Sequence, residues 1–370
     1  MRIVIHHPRV SYYSGGGEVV PLEQAKFLAK MGHRVTVLTR KVRKVSPVFR
    51  AFLASKGKGV EVIEVKLPPA YDKILQEPPG QRWLRWDIES VLFGQFCQSF
   101  YQSHQRSIDL VITHGTTDSL LIPRQFVNVV HLHGNPSDMT DVIRLSLLRP
   151  DGACAVSKSV YEYWKPFWPT GRPLKLIHNG IDHHKFFPDG RVKRDVDVLY
   201  VGRLMSHKGV LDIIQAVRSD YRVVLVGDGP LKELIQSTIK RSKKNIALLS
   251  NLSEAKLIEL YRRSKIFAGP SVAKEGVLTT MLEAAAAGCA IVTTNCCGMT
   301  DFAKHGVNAY VVPPHAPKSL AKAFQTILGD PALSAALSSR ARSAVLANWT
   351  WEKQAKELAQ FYLRVVQNTK

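Results

Sequence analysis

Lys274-Glu275-Gly276-Val277-Leu278-Thr279-Thr280-Met281-Leu282-Glu283-Ala284-Ala285-Ala286-Ala287-Gly288-Cys289 lies between two apolar runs, Ile266-Phe267-Ala268 before it and Ala290-Ile291-Val292-Thr293-Thr294 after it. Met281, Leu282, Glu283 and the four alanines predict a helix from about Val277, because alanine is the best helix former. Gly288 is a natural stop, where the chain can turn left-handed at no steric cost. The stretch therefore reads strand, helix, strand. Glu275 falls just before the helix and Glu283 about two turns inside it. Unpaired backbone N–H groups at the helix N-terminus lie between the two carboxylates and suit an anion. Read alone, it is equally an ordinary amphipathic helix with two solvated glutamates.

Working outward, the same alternation fills the second half. Asp197 to Gly202, Tyr221 to Gly227, Ile246 to Leu249, Ile266 to Gly269, Ala290 to Thr294 and Ala309 to Val312 are strand-like. Helical spacing lies between them. The first half does the same, with strands at Arg2–His6, Arg34–Thr39, Val60–Val65, Leu110–Thr113, Val127–Gly134 and Gly152–Ser157. Apolar strands separated by crossover helices predict an α/β protein of doubly wound parallel sheets. The expected division is a first domain over residues 1–170, a second over 171–345, and a helix over 346–370 packing back on the first. Two such domains would offer a ligand cleft at the strands' carboxyl ends.

Composition narrows the function classes. The net charge is +21, from 51 Lys and Arg against 30 Asp and Glu, which predicts attraction to polyanions without choosing among them. No zinc-finger, basic-zipper or aromatic strand motif marks a dedicated nucleic-acid reader. No apolar run approaches the roughly 20 residues of a spanning helix, and the N-terminus is too short and polar for a signal peptide. Five cysteines without metal spacing point to reduced thiols and a cytoplasmic setting.

Several loops carry candidate chemistry. Gly15-Gly16-Gly17-Glu18 follows the first strand, where backbone N–H groups can approach a phosphate or sugar, or simply turn. It is neither Gly-x-Gly-x-x-Gly nor a P-loop. His131 and His133, with one residue between them, are expected on opposite faces of the fifth strand, which disfavours a shared metal ion. His133 leads into the strand-end loop Gly134-Asn135-Pro136. Gly202-Arg203 and Lys208-Gly209 bring a guanidinium fork and a compact ammonium to a strand end, and Gly227-Asp228-Gly229-Pro230 forms a turn at the next. Asp195 and Asp197 are assigned to structure, and no catalytic metal is expected.

Taken together, these residues resemble family 4 of the retaining glycosyltransferases, which have the GT-B fold of two facing Rossmann-like domains. The resemblance spans nearly the whole chain. Gly15-Gly16-Gly17-Glu18 is similar to the family's Gly-Gly-x-Glu loop, His133-Gly134 to its strand-end histidine, and Ala155-Val156-Ser157 and Asn179-Gly180-Ile181-Asp182 to the approach to its hinge. Glu275 and Glu283 match its Glu-x7-Glu motif. The resemblance implies a nucleoside-diphosphate-sugar donor, used as substrate with no cofactor, and a glycan or lipid-linked acceptor. By the same resemblance Glu275 contacts the sugar hydroxyls, Glu283 the ribose, Arg203 and Lys208 the diphosphate, and His133 the sugar or its phosphate. Gly16, Gly17, Gly202, Gly227, Asp228, Gly276, Val277, Leu278 and Thr279 would line the donor. Val277-Leu278-Thr279 departs from the usual Phe-Gly-Leu, and Asp301 stands where Glu is common.

Other enzymes of the same fold, a sugar-nucleotide epimerase or a phosphorylase, remain open, as does a non-catalytic basic scaffold. Two segments suggest a peripheral contact with an anionic membrane. One is the basic stretch Arg40 to Lys58 with Val48, Phe49, Phe52 and Leu53. The other is the aromatic stripe from Gln81 to Arg106, more simply read as core.

Overall fold

β1 (Arg2–His6), β2 (Arg34–Arg40), β3 (Val60–Val65), β4 (Leu110–Thr113), β5 (Asn128–Leu132), β6 (Gly152–Ala155) and β7 (Leu174–Leu176) form one parallel sheet in the order β3-β2-β1-β4-β5-β6-β7. A second parallel sheet, in the order β10-β9-β8-β11-β12-β13, takes β8 (Val196–Val201), β9 (Val223–Val226), β10 (Ile246–Leu249), β11 (Ser264–Gly269), β12 (Ala290–Thr294) and β13 (Tyr310–Val312). The computed structural model describes residues 1–13, 15–71, 82–136, 139–272 and 275–369. It comprises two units, Met1–His178 with Gln354–Lys370, and Asn179–Lys353.

Strands buried on both faces favour near-continuous apolar runs, and the central strands supply them: β4 is Leu110-Val111-Ile112-Thr113 and β9 Val223-Val224-Leu225-Val226, all buried, whereas β3 at a sheet edge exposes Glu61 and Glu64. In β8, Val198 and Tyr200 enter one core while Leu199 and Val201 enter another. The strand order reverses between β1 and β4, and again between β8 and β11. Loops leaving the carboxyl ends at such reversals diverge and leave a crevice. Both reversal points fall on loops singled out above.

The structure revises some expectations. Leu174–Leu176, placed in the second domain from sequence, pairs with β6 and completes the first sheet, and the first unit runs to His178. The helical tail is interrupted at Trp349-Thr350, between helices Pro331–Asn348 and Trp351–Thr369. There Thr350 forms a parallel bridge with Ile181. The later helix returns to the first unit, where Tyr362 is buried. Of the basic segment, Phe49 and Phe52 are 0% and 2% exposed, so its aromatic side chains belong to the core. Within the aromatic stripe Phe93, Cys97 and Tyr101 form a buried cluster with Val4 and Leu38. Gln81 and the side chains of Trp83 and Leu84 lie outside the described residues. Among the described residues no helix is long and apolar enough to cross a membrane.

Candidate functional site

In the second unit, loops after β8, β11 and β12 converge on Glu275. The loop after β8 makes a short turn, Ser206–Lys208, that ends at Gly209 with φ of +66°. A Cβ at Gly209 would lie 2.1 Å from the Pro270 carbonyl oxygen. Glycine is therefore required both by the left-handed backbone and by the close approach of the loop after β11. That approach lets the Val272 N–H donate to the His207 carbonyl at 2.8 Å. It also brings the Lys208 ammonium 2.5 Å from a Glu275 carboxylate oxygen. The Ser271 hydroxyl donates to the other carboxylate oxygen, and Thr294 at the end of β12 fixes the Ser271 carbonyl at 2.5 Å. From the loop after β12, the Gly298 N–H donates to the Glu275 carbonyl at 3.0 Å. Lys208 is buried and Glu275 partly so. An ion pair in this setting is held in place by its scaffold, not by surface Coulomb attraction alone.

The other predicted positions surround this pair in the chain but differ in engagement. The helix starts at Thr279, two residues later than expected, with Leu278 before it at φ of −63°. Leucine thus adopts an ordinary extended conformation, and the helix N-terminus has no side-chain cap. Gly276 and Val277 are buried, while Thr279 is half-buried. Glu283 accepts a hydrogen bond from the Tyr261 hydroxyl at 2.7 Å. Burial, then the Glu283 charge, pushes the Tyr261 phenol well above its usual range, so it stays a donor. Gly202 donates to the Val226 carbonyl at 3.0 Å, and the Arg203 carbonyl accepts from Tyr200 at 2.8 Å. A Cβ on Gly227 would lie 1.9 Å from the Gly202 carbonyl oxygen, so those two loops also need glycine to pack. Asp228 is exposed, and its carboxylate accepts from Lys232 and from the Gly229 N–H, both at 2.8 Å. Burial, then Lys208, holds His207 below its ordinary value. Ser271 and Tyr261 were not picked out from sequence, because a serine in a loop and a tyrosine in a helix carry no spacing signal.

In the first unit, Gly15 precedes the helix Gly16–Lys30. A Cβ there would meet the Glu18 carboxylate at 2.8 Å, whereas Gly17 has open space around it. His133 follows β5, and the expectation for its neighbour needs correction. Side chains two apart on a strand share a face, so His131 and His133 lie together, with ring centroids 6.3 Å apart. His114, from the end of β4, joins them. His133 Nε2 is 2.8 Å from His114 Nδ1, and His114 Nε2 is 3.0 Å from Gln24 Oε1. Gln24 Nε2 donates to the Tyr362 hydroxyl at 2.5 Å, and that hydroxyl is 2.6 Å from His131 Nε2. An amide oxygen only accepts, so His114 carries its proton on Nε2 and accepts at Nδ1 from His133 Nε2–H. A nitrogen pair 2.8 Å apart is a direct hydrogen bond with no room for an ion between. Burial depresses all these imidazoles: His133 to about 4, His131 to about 3, and His114 well below its ordinary value.

Two families match this chain, "Glycosyl transferases group 1" over residues 183–344 and "Glycosyltransferase Family 4" over residues 14–185. The chain belongs to the family 4 glycosyltransferases, and its two Rossmann-like, parallel-sheet units are of the GT-B fold. A glycogen synthase of Mycobacterium tuberculosis (strain CDC 1551 / Oshkosh) is 30% identical over 207 residues, covering 53% of this chain and 50% of the relative. The chain thus spans about half the length of the glycogen synthases it matches. The N-acetyl-alpha-D-glucosaminyl L-malate synthase of Bacillus anthracis is 23% identical over 382 residues, with 96% of each chain covered. Among solved structures, Anabaena Alr3699/HepE in complex with UDP-glucose superposes with a TM-score of 0.78 at 18% identity, covering 98% of this chain and 99% of that one.

Proposed function

We propose that the protein transfers a sugar from a nucleoside-diphosphate donor to a hydroxyl of a glycan or lipid-linked acceptor, with retention of anomeric configuration and without a catalytic metal. The observation that carries this is the Lys208–Glu275 pair, built from strand-end loops at the β8/β11 reversal. A donor diphosphate would draw the Lys208 ammonium away from Glu275, with Arg203 and the N-terminus of helix Thr279–Ala286 adding positive potential. The released Glu275 oxygens would then accept hydrogen bonds from sugar hydroxyls. In the transfer step the bond from the anomeric carbon to the diphosphate oxygen breaks, and the acceptor oxygen bonds that carbon on the same face. The acceptor proton passes to the departing diphosphate, so no side-chain nucleophile is required. Positive charge placed in advance stabilises the leaving group.

The Anabaena protein was solved with UDP-glucose, which makes UDP-glucose the first donor to try, beside other UDP- and GDP-sugars. A true donor is expected to raise the melting temperature by mass action, and to release nucleoside diphosphate only when an acceptor is supplied. Turnover of the nucleotide sugar without any acceptor would favour an epimerase instead. Silence from every donor would favour a scaffold.

We infer that the peripheral setting is an anionic bilayer, on surface different from that suggested by the sequence. Val142, Leu145, Leu148 and Phe167 are 43%, 60%, 52% and 39% exposed. Arg144 lies over the Phe167 ring, and Arg124 and Arg172 both donate to the Leu148 carbonyl. Exposed apolar groups flanked by guanidinium groups suit lipid headgroups bearing negative charge. Leu145→Asp is expected to abolish co-sedimentation with phosphatidylglycerol vesicles while leaving the fold intact. Undiminished vesicle binding by that variant, or equal binding to phosphatidylcholine alone, overturns it.

A further inference from the structure

Apart from the residues of the candidate site, the second unit carries a further cluster of donor side chains. His183 Nδ1 lies 3.5 Å from one oxygen of Glu352, and His184 Nε2 lies 3.4 Å from the other. The three donor atoms all fall within 4.8 Å of one another. His183 Nδ1 is buried and has no hydrogen-bond partner. These separations exceed the roughly 2.9 Å of a good N–H···O bond. They match the edge of a coordination tetrahedron, since donors about 2.0–2.2 Å from an ion stand roughly 3.3–3.6 Å apart.

The backbone holds these donors in register without any ion. The Ile181 N–H donates to the Trp349 carbonyl at 2.8 Å, and the Trp351 N–H returns to the Ile181 carbonyl at 3.1 Å. A Cβ on Gly180 would lie 2.6 Å from Trp351 Cα, so the two segments touch backbone to backbone. Asp182 accepts from the His184 N–H at 3.1 Å and fixes the turn that presents both imidazoles. Glu352 stands in the first turn of helix Trp351–Thr369.

We propose that His183, His184 and Glu352 form a binding site for a divalent transition-metal ion, of the class that prefers imidazole nitrogen with one carboxylate. Zinc is the representative member. Three protein donors leave a coordination position for water, and oxygen-seeking magnesium or calcium is a poor fit. The chain passes between its units after His178 and again after Lys353. All three ligands belong to the second unit, near its first and last residues, so a bound ion ties the start of that unit to its end. The site takes no part in the chemistry.

The test is calorimetric titration of tag-free, full-length protein with zinc chloride, repeated with His183→Ala, His184→Ala and Glu352→Gln. Their side chains are 23%, 71% and 45% exposed, so all three variants are expected to melt like the parent without metal. One zinc equivalent is expected in the parent, weakened about tenfold or more in each variant. Binding should also weaken on acidification, because protons compete for the imidazoles. Cobalt in place of zinc should give the intense visible bands of a four-coordinate site. The proposal is overturned if the parent binds no zinc, if all three variants bind as the parent does, or if His114→Ala abolishes binding instead.

Discussion

Lowering the pH to about 5 is expected to cost the first unit roughly 6 kcal/mol of stability. His6 and His131 are held at about 3 and His133 at about 4, in each case chiefly by burial. An unfolded histidine titrates near 6.5, so between that value and its folded value the unfolded chain binds more protons. Stability therefore rises with pH through this window, is fully present above about 6.5, and drains away as pH falls. Each of the three groups contributes about 2 kcal/mol at that pH. His7 and His114 are depressed in the same direction, and the nearby Arg9 guanidinium adds to the effect on His6 and His7. Against a total of about 5–15 kcal/mol this is a large fraction. Thermal melts at neutral pH and at about pH 5 should differ by roughly 10–20 °C. A change of only a degree or two would mean that the imidazoles are accessible to protons in the folded state.

Lys208→Ala is expected to lower kcat/KM for sugar transfer by about a hundredfold to a thousandfold, the usual cost of removing one preorganised electrostatic contact. Lys208 is the buried cation of the pair, its ammonium placed by a glycine at positive φ and by the loop that Ser271 anchors. Arg203, which is more exposed, cannot substitute for it at the same spot. The loss should appear in kcat as well as in donor affinity, because in the proposed transfer charge builds on the diphosphate only as the sugar departs. Circular dichroism and a thermal melt would verify that the fold is kept. Activity within about threefold of the parent would remove Lys208 from the reaction.

Both sheets were legible because parallel strands buried on two faces read as short, mostly apolar runs rich in Val and Ile, separated by segments with helical spacing. Glu275 and Lys208 were legible through motif spacing, yet their 2.5 Å contact was not, since no local rule joins residues so far apart in sequence. Ser271 and Tyr261 were hidden because a loop serine and a helical tyrosine carry no spacing signal, even though Ser271 lies only four residues from Glu275. His131 and His133 were expected on opposite faces, but residues two apart on a strand share a face, and with His114 they form a cluster. Exposure also defied local pattern. Phe49 and Phe52 sit in a basic segment but are buried, whereas Leu145, in the short helix Asp141–Ser146, and Leu148 just beyond it are exposed. Only packing against the rest of the unit decides such cases.

The return of residues Gln354–Lys370 to the first unit sets an order of events on the ribosome. Tyr362 completes the hydrogen bonds of Gln24 and His131, yet it is synthesised only after all of Asn179–Lys353. At about 5–20 residues per second, the first unit waits roughly 10–35 s for its last helix. During that interval a buried polar cluster lacks its closing phenol and an apolar face lacks its cover. The unit begun first is finished last, and nascent chains stalled inside the second unit should be the ones most readily captured by chaperones.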